Sequence, residues 1–312
     1  MTTARRDYRA YAMLALVMLF WAGNAIVGRA VRGDIPPFTL ALVRWTGAFL
    51  IVLPMAVRPL GIDRAALLKA WRPVLALGLV GVASFNALLY TGLHHTTATN
   101  GLLIQAAIPA MVLVADRAIF GIRAGWASII GVALSTLGVA IIVFRGTVAT
   151  VLALDFGVGD VMILIASVAW ALYTSLLKLR PAVHPMSLLA VTFAIGALAM
   201  LPLAATEWRA VLAMPIRPGT LLAFAYVALL PSVVAYFLYN GAVGMIGAGK
   251  AGQTISLMPL FGALLAAGLL GEALHDYHLA GMVLILIGIA VPMALVRGDG
   301  GRATAAGEHG PG

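Results

Sequence analysis

The stretch GWASIIGVALSTLGVAIIV at residues 125–143 contains nineteen residues and no charged side chain. Crossing the hydrocarbon core of a bilayer as a helix takes about 20 mostly apolar residues. In lipid the backbone must satisfy its own N–H and C=O groups, so such a stretch is expected to be helical. Comparable runs fill the chain, and they predict ten spans near residues 10–28, 38–57, 73–92, 98–115, 125–143, 158–177, 187–205, 220–243, 249–270 and 278–296.

The composition of the whole chain also indicates an integral membrane protein. Of its 312 residues, 62% are hydrophobic and 10% are charged, whereas soluble domains carry about 25% charged residues. The net charge is +9, but the basic residues fall between apolar runs and form no stripe on one face, which argues against a nucleic-acid partner. Cysteine is absent, which excludes disulfides and thiolate metal sites. We expect no cofactor and no bound metal.

Proline, glycine and charged residues separate the apolar runs, and Pro59 is assigned to one of these breaks. Lys and Arg in short loops favour the cytoplasmic side, so their distribution predicts the orientation. With ten spans and an N-terminus inside, fourteen Lys and Arg residues fall on the cytoplasmic side and five on the opposite side, while Arg44 lies inside the second span. The distribution predicts that both termini face the cytoplasm.

The second half of the chain matches the first at a shift of 149 or 150 residues. The matched pairs include Trp21 with Trp170, Pro36 with Pro185, Tyr90 with Tyr239, Pro109 with Pro259, Gly131 with Gly281 and Gly138 with Gly288. Because each half holds five predicted helices, the second half would enter the bilayer from the opposite side, which makes the repeats inverted. Inverted repeats are typical of secondary transporters. A structural scaffold of duplicated bundles is the alternative.

The repeat predicts how the chain is organised. The glycine pairs of the fifth and tenth spans recur every seven residues, which predicts close packing and a scaffold role for these two helices. The predicted parts are a cytoplasmic N-terminus at 1–9, a first five-helix repeat at 10–145, a connecting loop at 146–157, a second five-helix repeat at 158–296 and a disordered cytoplasmic tail at 297–312.

A family resemblance rests on the two five-helix halves, on Pro36-Pro37 at the entry to the second helix, and on Pro259 followed by Leu-Leu-Gly-Glu at 269–272. This pattern resembles the drug/metabolite transporter superfamily, in particular its ten-helix EamA-type exporters, and is similar to bacterial YddG-type amino-acid exporters. The resemblance covers about residues 10–296. It implies an all-α inner-membrane protein with a central cavity that exports amino acids or similar small metabolites. Ile122-Arg123 departs from the pattern, because a Glu would be expected there.

The predicted spans contain no Asp or Glu near their middle. Ionisable residues at bilayer depth are costly and usually functional, and a proton-coupled exporter of cationic drugs would need such a carboxylate. Neutral or zwitterionic cargo is therefore expected, with facilitated export down a gradient as an open possibility. A multidrug or other metabolite exporter of the same superfamily is the alternative.

The candidate substrate cavity consists of polar and aromatic residues inside the spans. Trp21 and Asn24 share one face of the first helix, and their repeat mates are Trp170 and Tyr173, with Thr174 beside them. An indole and an amide in a wet cavity would suit an amino acid with an apolar side chain, whereas helix packing is the alternative. The remaining candidates are Ser84, Phe85, Asn86, Gln105, Tyr236, Tyr239, Gln253 and Ser256.

Two basic residues and two prolines complete the candidates. Arg44 in the second span and Lys250 at the start of the ninth could contact a substrate carboxylate. A structural role is favoured for both, with Arg44 bonding carbonyls or reaching the interface and Lys250 acting as a topology charge. Pro109 and Pro259 predict kinks in the fourth and ninth helices, which act as gates or as static bends.

A membrane-embedded enzyme and a passive channel are the rival functions. His94 and His95 are adjacent and would point about 100° apart on a helix, which makes a poor metal site. The acidic and histidine residues at 272–278 could bind a cation only loosely. The spans carry no nucleophile–base arrangement. The sequence therefore predicts a transporter and not an enzyme, with a small-molecule substrate and the lipid bilayer as its partners and an undetermined oligomeric state.

Overall fold

The computed structural model describes residues 3–31, 33–96, 101, 104–145, 157–270 and 274–305. Ten helical segments in these residues correspond in order to the ten predicted spans, and the all-α membrane fold is confirmed. They are α1 (Thr3–Val31), α2 (Pro37–Lys69), α3 (Trp71–His95), α4 (Ile108–Phe120), α5 (Trp126–Val143), α6 (Val158–Leu179), α7 (Pro185–Ala205), α8 (Pro218–Ile246), α9 (Ala248–Gln253 and Leu257–Leu270, joined by Thr254–Ser256) and α10 (Asp276–Ala305).

Seven of the described helices are long and apolar enough to cross a membrane, and these are α1, α2, α3, α5, α6, α7 and α8. Large apolar side chains cover the outside of the bundle, for example Leu50, Leu137 and Leu222, which are 58%, 52% and 70% exposed. Such a surface suits lipid and not water. The exact number of crossings and the side of each terminus stay predictions.

Two helix ends differ from the prediction. Pro54 and Pro59 lie inside α2, which continues to Lys69, so the assignment of Pro59 to a break is wrong. A proline inside a helix removes one backbone hydrogen bond, that to the carbonyl of residue i−4, and continuing the helix keeps the others. The helix α10 continues to Ala305, so residues 297–305 are helical although the sequence assigned them to a disordered tail. Extending an existing helix is far easier than nucleating one. Residues 306–312 and nearly all of the 146–157 loop lie outside the described residues.

The helices α5 and α10 pack closely through the predicted glycine pairs. A methyl group added at Gly131 would lie 2.5 Å from the carbonyl oxygen of Gly288, and one added at Gly138 would lie 2.6 Å from that of Gly281. The contacts run in opposite directions along the two helices, so the helices are antiparallel. Because Gly131 matches Gly281 and Gly138 matches Gly288 in the repeat, each contact is the two-fold image of the other.

The helices α2 and α7 form the second pair that joins the two halves. At one end of this pair, Glu207 accepts hydrogen bonds from the backbone N–H groups of Phe38 and Thr39, at 3.1 and 2.8 Å. At the other end, Asp63 accepts hydrogen bonds from the backbone N–H of His184 at 2.9 Å and from the hydroxyl of Ser187 at 2.7 Å. Carboxylates satisfy the free N–H groups at a helix N-terminus and complement its dipole. A carboxylate within α2 or just after the end of α7 therefore caps the N-terminus of the partner helix.

Both α3 and α8 contain a π-helical segment in the middle. The segments are Leu77–Ser84 in α3 and Leu229–Val234 in α8, and they overlap when the repeat shift is applied. The wider turn of a π-helix disturbs the regular pairing of backbone groups, and such segments are frequent at functional sites. The two halves therefore share this irregularity at the centre of the bundle.

Candidate functional site

Aromatic rings from both halves meet at the centre of the bundle around Trp170 of α6. The ring centroid of Trp170 lies 4.8 Å from that of Trp21, with the two planes at 88°, and 4.9 Å from that of Phe85. Edge-to-face and offset arrangements of this kind are the favoured ones. We call the following residues the aromatic cluster: Trp21, Trp45, Phe85, Trp170, Tyr173, Phe193, Tyr236 and Tyr239.

The aromatic cluster is closed in this structure. Tyr173, Tyr236 and Tyr239 are at most 2% exposed, and the Trp170 ring lies 5.1–5.8 Å from each of them. Close packing of this kind leaves the rings in mutual contact instead of around a wide opening. The structure therefore brings together six of the residues predicted from the sequence, in a conformation in which they cover one another.

Hydrogen bonds within each half tie its first helix to its third. In the first half, the amide of Asn24 donates to the hydroxyl of Tyr90 at 3.3 Å. In the second half, the hydroxyls of Thr174 and Tyr239 lie 2.9 Å apart. Because Tyr90 and Tyr239 are repeat mates, the two contacts occupy equivalent places. Both tyrosines are buried inside the bundle.

Hydrogen bonds between the halves end on the two π-helical segments. The indole N–H of Trp21 in α1 donates to the carbonyl oxygen of Pro231 in α8 at 3.0 Å. The hydroxyl of Tyr236 in α8 donates to the carbonyl oxygen of Gly81 in α3 at 2.8 Å. Backbone carbonyls in a π-helical segment can lack their usual helical partner, and a buried carbonyl needs one. Each half thus supplies an aromatic donor to the irregular segment of the other.

Arg44 lies beside the aromatic cluster and is 2% exposed. Its guanidinium donates to the Ser232 hydroxyl at 2.7 Å, to the Asn86 side-chain oxygen at 3.0 Å and to the Tyr90 hydroxyl at 3.0 Å. It also donates to the carbonyl oxygen of Pro231 at 3.1 Å. Arg44 therefore does bond a carbonyl, as one predicted role requires, and its side chain does not reach the surface of the protein.

The two prolines for which kinks are predicted, Pro109 and Pro259, each lie in the first turn of a helical segment that follows a break. Pro109 follows a turn at residues 106–107, and Pro259 follows the tighter helical turn Thr254–Ser256. A cavity of about 10 Å³ lies between these breaks, lined by Gln105, Ala106, Val139, Ile255, Ser256, Met258 and Pro259. This volume suits about one water molecule. Gln105 and Ser256 therefore lie at the breaks and not among the residues of the aromatic cluster.

Three other candidates lie away from the rings or make no polar contact with them. Gln253 donates to the carbonyl oxygen of Gly288 at 2.6 Å, so it supports the contact between α9 and α10. Lys250 is partly exposed near the start of α9, and Ser84 is partly buried at the end of the π-helical segment of α3. Asn86, by contrast, accepts a hydrogen bond from Arg44 beside the aromatic cluster.

An ion pair joins the halves at the predicted cytoplasmic end. The ammonium group of Lys178, at the end of α6, lies 2.5 Å from the carboxylate of Asp116 in α4, and the two side chains are 27% and 8% exposed. Nearby, Arg180 donates to the backbone carbonyl of Asn240 at 2.6 Å. Because α4 and α6 belong to different halves, this pair connects the halves away from the aromatic cluster.

Sequence reasoning missed Trp45, Phe193, Ser232 and Asn240. The Trp45 and Phe193 rings lie 5.4 Å apart, and Asn240 accepts a hydrogen bond from Tyr173 at 2.7 Å. Ser232 adjoins Pro231, and a proline next to a polar residue inside a long apolar run is a signal that could have indicated it. The signals for the other two are that Trp45 follows Arg44 in the sequence and that Phe193 is the repeat mate of Arg44.

The helices, their apolar surface and the two inverted halves define a multi-pass membrane transporter. The chain belongs to the EamA-like transporter family, which matches residues 8–144 and 157–293. The protein is therefore a transporter and not a membrane-embedded enzyme.

Several relatives match nearly the whole chain. "Uncharacterized transporter YyaM" of Bacillus subtilis is 26% identical over 288 residues, which cover 92% of this chain and 94% of the relative. "Probable terminal-alkyne amino-acid exporter" of Streptantibioticus cattleyicolor is 26% identical over 278 residues, which cover 88% and 90%. A solved crystal structure shares the fold at a TM-score of 0.71 and 18% identity, covering 92% of this chain and 97% of that one.

Proposed function

We propose that this protein is a secondary transporter that exports amino acids, including apolar and aromatic ones, or similar small neutral or zwitterionic metabolites across the inner membrane. The observation that carries the proposal is the buried aromatic cluster at the junction of the two halves, with buried amide and hydroxyl groups at its edge. Binding sites for small molecules combine apolar and aromatic walls with a few placed polar groups. A relative named as a probable amino-acid exporter supports the same substrate class.

Alternating access is the mechanism that the inverted halves favour. The two halves meet through the aromatic rings and through the hydrogen bonds of Trp21 and Tyr236. Opening toward one side of the membrane would break one set of these contacts. Because the repeats are inverted, opening toward the other side would break the equivalent set. The closed cluster is the occluded state in this account, and a substrate ring would replace one or more of the protein rings.

Coupling by a membrane carboxylate finds no support in the described residues. Their buried acids are Asp116 and Asp160, and both lie near helix ends. Asp116 pairs with Lys178, and Asp160 accepts hydrogen bonds from Thr96 and from the backbone of Gly157. A proton-exchanging carboxylate would have to lie where a substrate binds. Export down a substrate gradient is therefore the coupling that we propose.

The test is efflux of labelled amino acids from proteoliposomes, with and without an imposed pH gradient. We expect saturable efflux of at least one apolar or aromatic amino acid at a rate that the pH gradient leaves unchanged. Efflux of no amino acid above that of protein-free liposomes would contradict the proposed substrate class. Efflux of lipophilic cations in the same vesicles would then favour the alternative of a multidrug exporter, and dependence on the pH gradient would contradict export without proton coupling.

A further inference from the structure

Arg44 carries a buried positive charge without a negative partner among the described residues. Within those residues, the ion pair within 4.0 Å is Lys178 with Asp116, and it lies at a different place. The four hydrogen-bond partners of the guanidinium are a serine hydroxyl, an amide oxygen, a tyrosine hydroxyl and a backbone carbonyl. All four are neutral. Charged side chains at bilayer depth normally pair with an opposite charge or line a functional path, because an uncompensated buried charge is costly.

The guanidinium of Arg44 is positioned and oriented by groups from two other helices. Ser232 and Pro231 hold it from α8, while Asn86 and Tyr90 hold it from α3. The four described bonds use four of its five N–H donors, which leaves one donor for another acceptor. A guanidinium held in a fixed plane can offer that donor to one carboxylate oxygen, and its charge strengthens the hydrogen bond.

The charge adjoins the aromatic cluster. The guanidinium carbon lies 4.6 Å from the centre of the Trp45 ring, and Trp45 contacts Tyr236 with centroids 5.4 Å apart. The indole N–H of Trp45 is buried and has no hydrogen-bond acceptor among the described residues. A buried donor without an acceptor is costly, so an additional ligand with acceptor oxygens would stabilise this region.

The charge is present in one half only. The repeat mate of Arg44 is Phe193, whose ring packs against Trp45 at 5.4 Å. A scaffold role shared by both halves would not need a cation on one side. A single cation beside a ring of aromatic side chains instead gives the site one polar end and one apolar end.

We propose that Arg44 binds the carboxylate of the transported substrate, so that a carboxylate next to an apolar or aromatic group is the recognised substrate feature. This inference rests on the proposed function and narrows it. The carboxylate would neutralise the guanidinium and take up its remaining donor, and the apolar part of the substrate would lie among the rings of Trp170 and Tyr236. The α-amino group contributes less, because the described residues around Arg44 include no carboxylate to pair with it.

The first experiment compares transport of phenylalanine with that of phenylalaninamide, which keeps the ring and the amino group but lacks the carboxylate. We expect the parent protein to prefer the acid by about 10- to 100-fold, as the loss of one charge-assisted contact would give. Arg44→Gln should abolish the preference. Arg44→Lys should keep part of it, because the positive charge remains while the planar guanidinium is lost. The matched control is Arg180→Gln, which removes the same charge from an arginine that bonds a carbonyl of α8 outside the cluster, and it should keep the preference.

A second experiment measures binding without transport, so it separates the inference from the proposed function. Tryptophan fluorescence of the parent protein in detergent is titrated with 3-phenylpropionate and with 3-phenylpropionamide. We expect the acid to bind at least about tenfold more tightly than the amide. Equal binding of acid and amide by the parent overturns the inference, even if Arg44→Gln fails to fold. An Arg44→Gln variant that keeps the transport preference also overturns it. Absent transport combined with selective binding of the acid would contradict export and leave the carboxylate site supported.

Discussion

At the residue scale, the contacts that close the centre of the molecule depend on small groups of atoms. Gly81 illustrates this, because a methyl group added there would overlap the ring of Tyr173. The carbonyl oxygen of Gly81 also accepts a hydrogen bond from the hydroxyl of Tyr236. A glycine in the π-helical segment of α3 thus lets the second half bring two tyrosines against the first half. The aromatic cluster is closed because α3 offers no side chain at this position.

The hydroxyl of Tyr236 should stabilise the closed conformation. Tyr236→Phe removes the hydrogen bond to Gly81 and keeps the ring, so the closed state should lose about 1 kcal/mol, or about fivefold in population. The chain contains no cysteine, so Ala83→Cys, at a site that is 3% exposed, provides a unique thiol. Its modification rate should rise about fivefold in the Tyr236→Phe background.

Tyr173→Phe is the control for this measurement. Its hydroxyl bonds Asn240 within the second half, so its loss should leave the modification rate of the thiol within twofold of the parent value. An equal rise in both variants would mean that loss of any buried hydroxyl loosens the cluster, and that the bond between the halves has no special part.

At the element scale, the molecule is held together by two pairs of helices that each join the halves. The pair α5 and α10 packs through glycines, whereas α2 and α7 exchange carboxylate caps at both ends. The caps and the glycine contacts lie away from the aromatic cluster. These pairs can therefore keep the halves together while the contacts at the centre change.

Close packing of α5 on α10 makes Gly138 intolerant of a side chain. Gly138→Ala would bring a methyl group to 2.6 Å from the Gly281 carbonyl, so the helices must separate. Overpacking of this kind costs about 1–3 kcal/mol and should lower the midpoint of thermal unfolding in detergent. Gly262→Ala in α9 is the control, since its added methyl group would meet nothing within 4 Å. A helical glycine-to-alanine change there should raise stability slightly, and equal behaviour of the two variants would contradict the packing account.

The cap on α2 gives a second prediction at this scale. Glu207→Ala leaves the N–H groups of Phe38 and Thr39 without their acceptor, so the protein should lose about 1 kcal/mol of stability. Asp34→Ala removes an exposed acid in the turn before α2 and changes the net charge equally. Thermal unfolding in detergent should show a decrease for the first variant only. A decrease of the same size in both would assign the effect to net charge.

At the scale of the whole molecule, the sequence predicted the architecture well and the site in part. The ten apolar runs and the repeat follow from composition and spacing, which bilayer thickness constrains strongly. Trp170 and Tyr239 could be identified as central because aromatic and polar residues stand out in such runs. The contacts of Ser232 with Arg44 and of Phe193 with Trp45 could not be predicted, because each joins residues about 150 positions apart or more. Such contacts depend on helix rotation and crossing, which a single sequence does not specify.

The ion pair between Asp116 and Lys178 should hold the halves closed at the predicted cytoplasmic end. Asp116→Asn removes the attraction and leaves a partly buried ammonium without its partner, which should favour opening there. Modification of a single engineered thiol at Ala83 by a reagent supplied from the cytoplasmic side of oriented vesicles should then accelerate. The double variant Asp116→Lys with Lys178→Asp should restore the parent rate. An unchanged rate in the single variant, or failure of the charge swap to restore a rate that the single variant raised, would contradict the assigned role.

The central claim is that the two halves carry a substrate by alternately exposing one closed site. Trans-stimulation of efflux tests this claim most directly. Proteoliposomes are loaded with labelled phenylalanine, or with whichever amino acid is exported fastest, and are diluted into buffer with and without the same unlabelled compound. A carrier that binds external substrate returns to its inward-facing state with that substrate bound, so it exchanges one molecule for another. We therefore predict that external unlabelled substrate accelerates the efflux of label and that the effect saturates. Efflux that ignores external substrate and rises linearly with concentration would contradict the account and favour a passive channel.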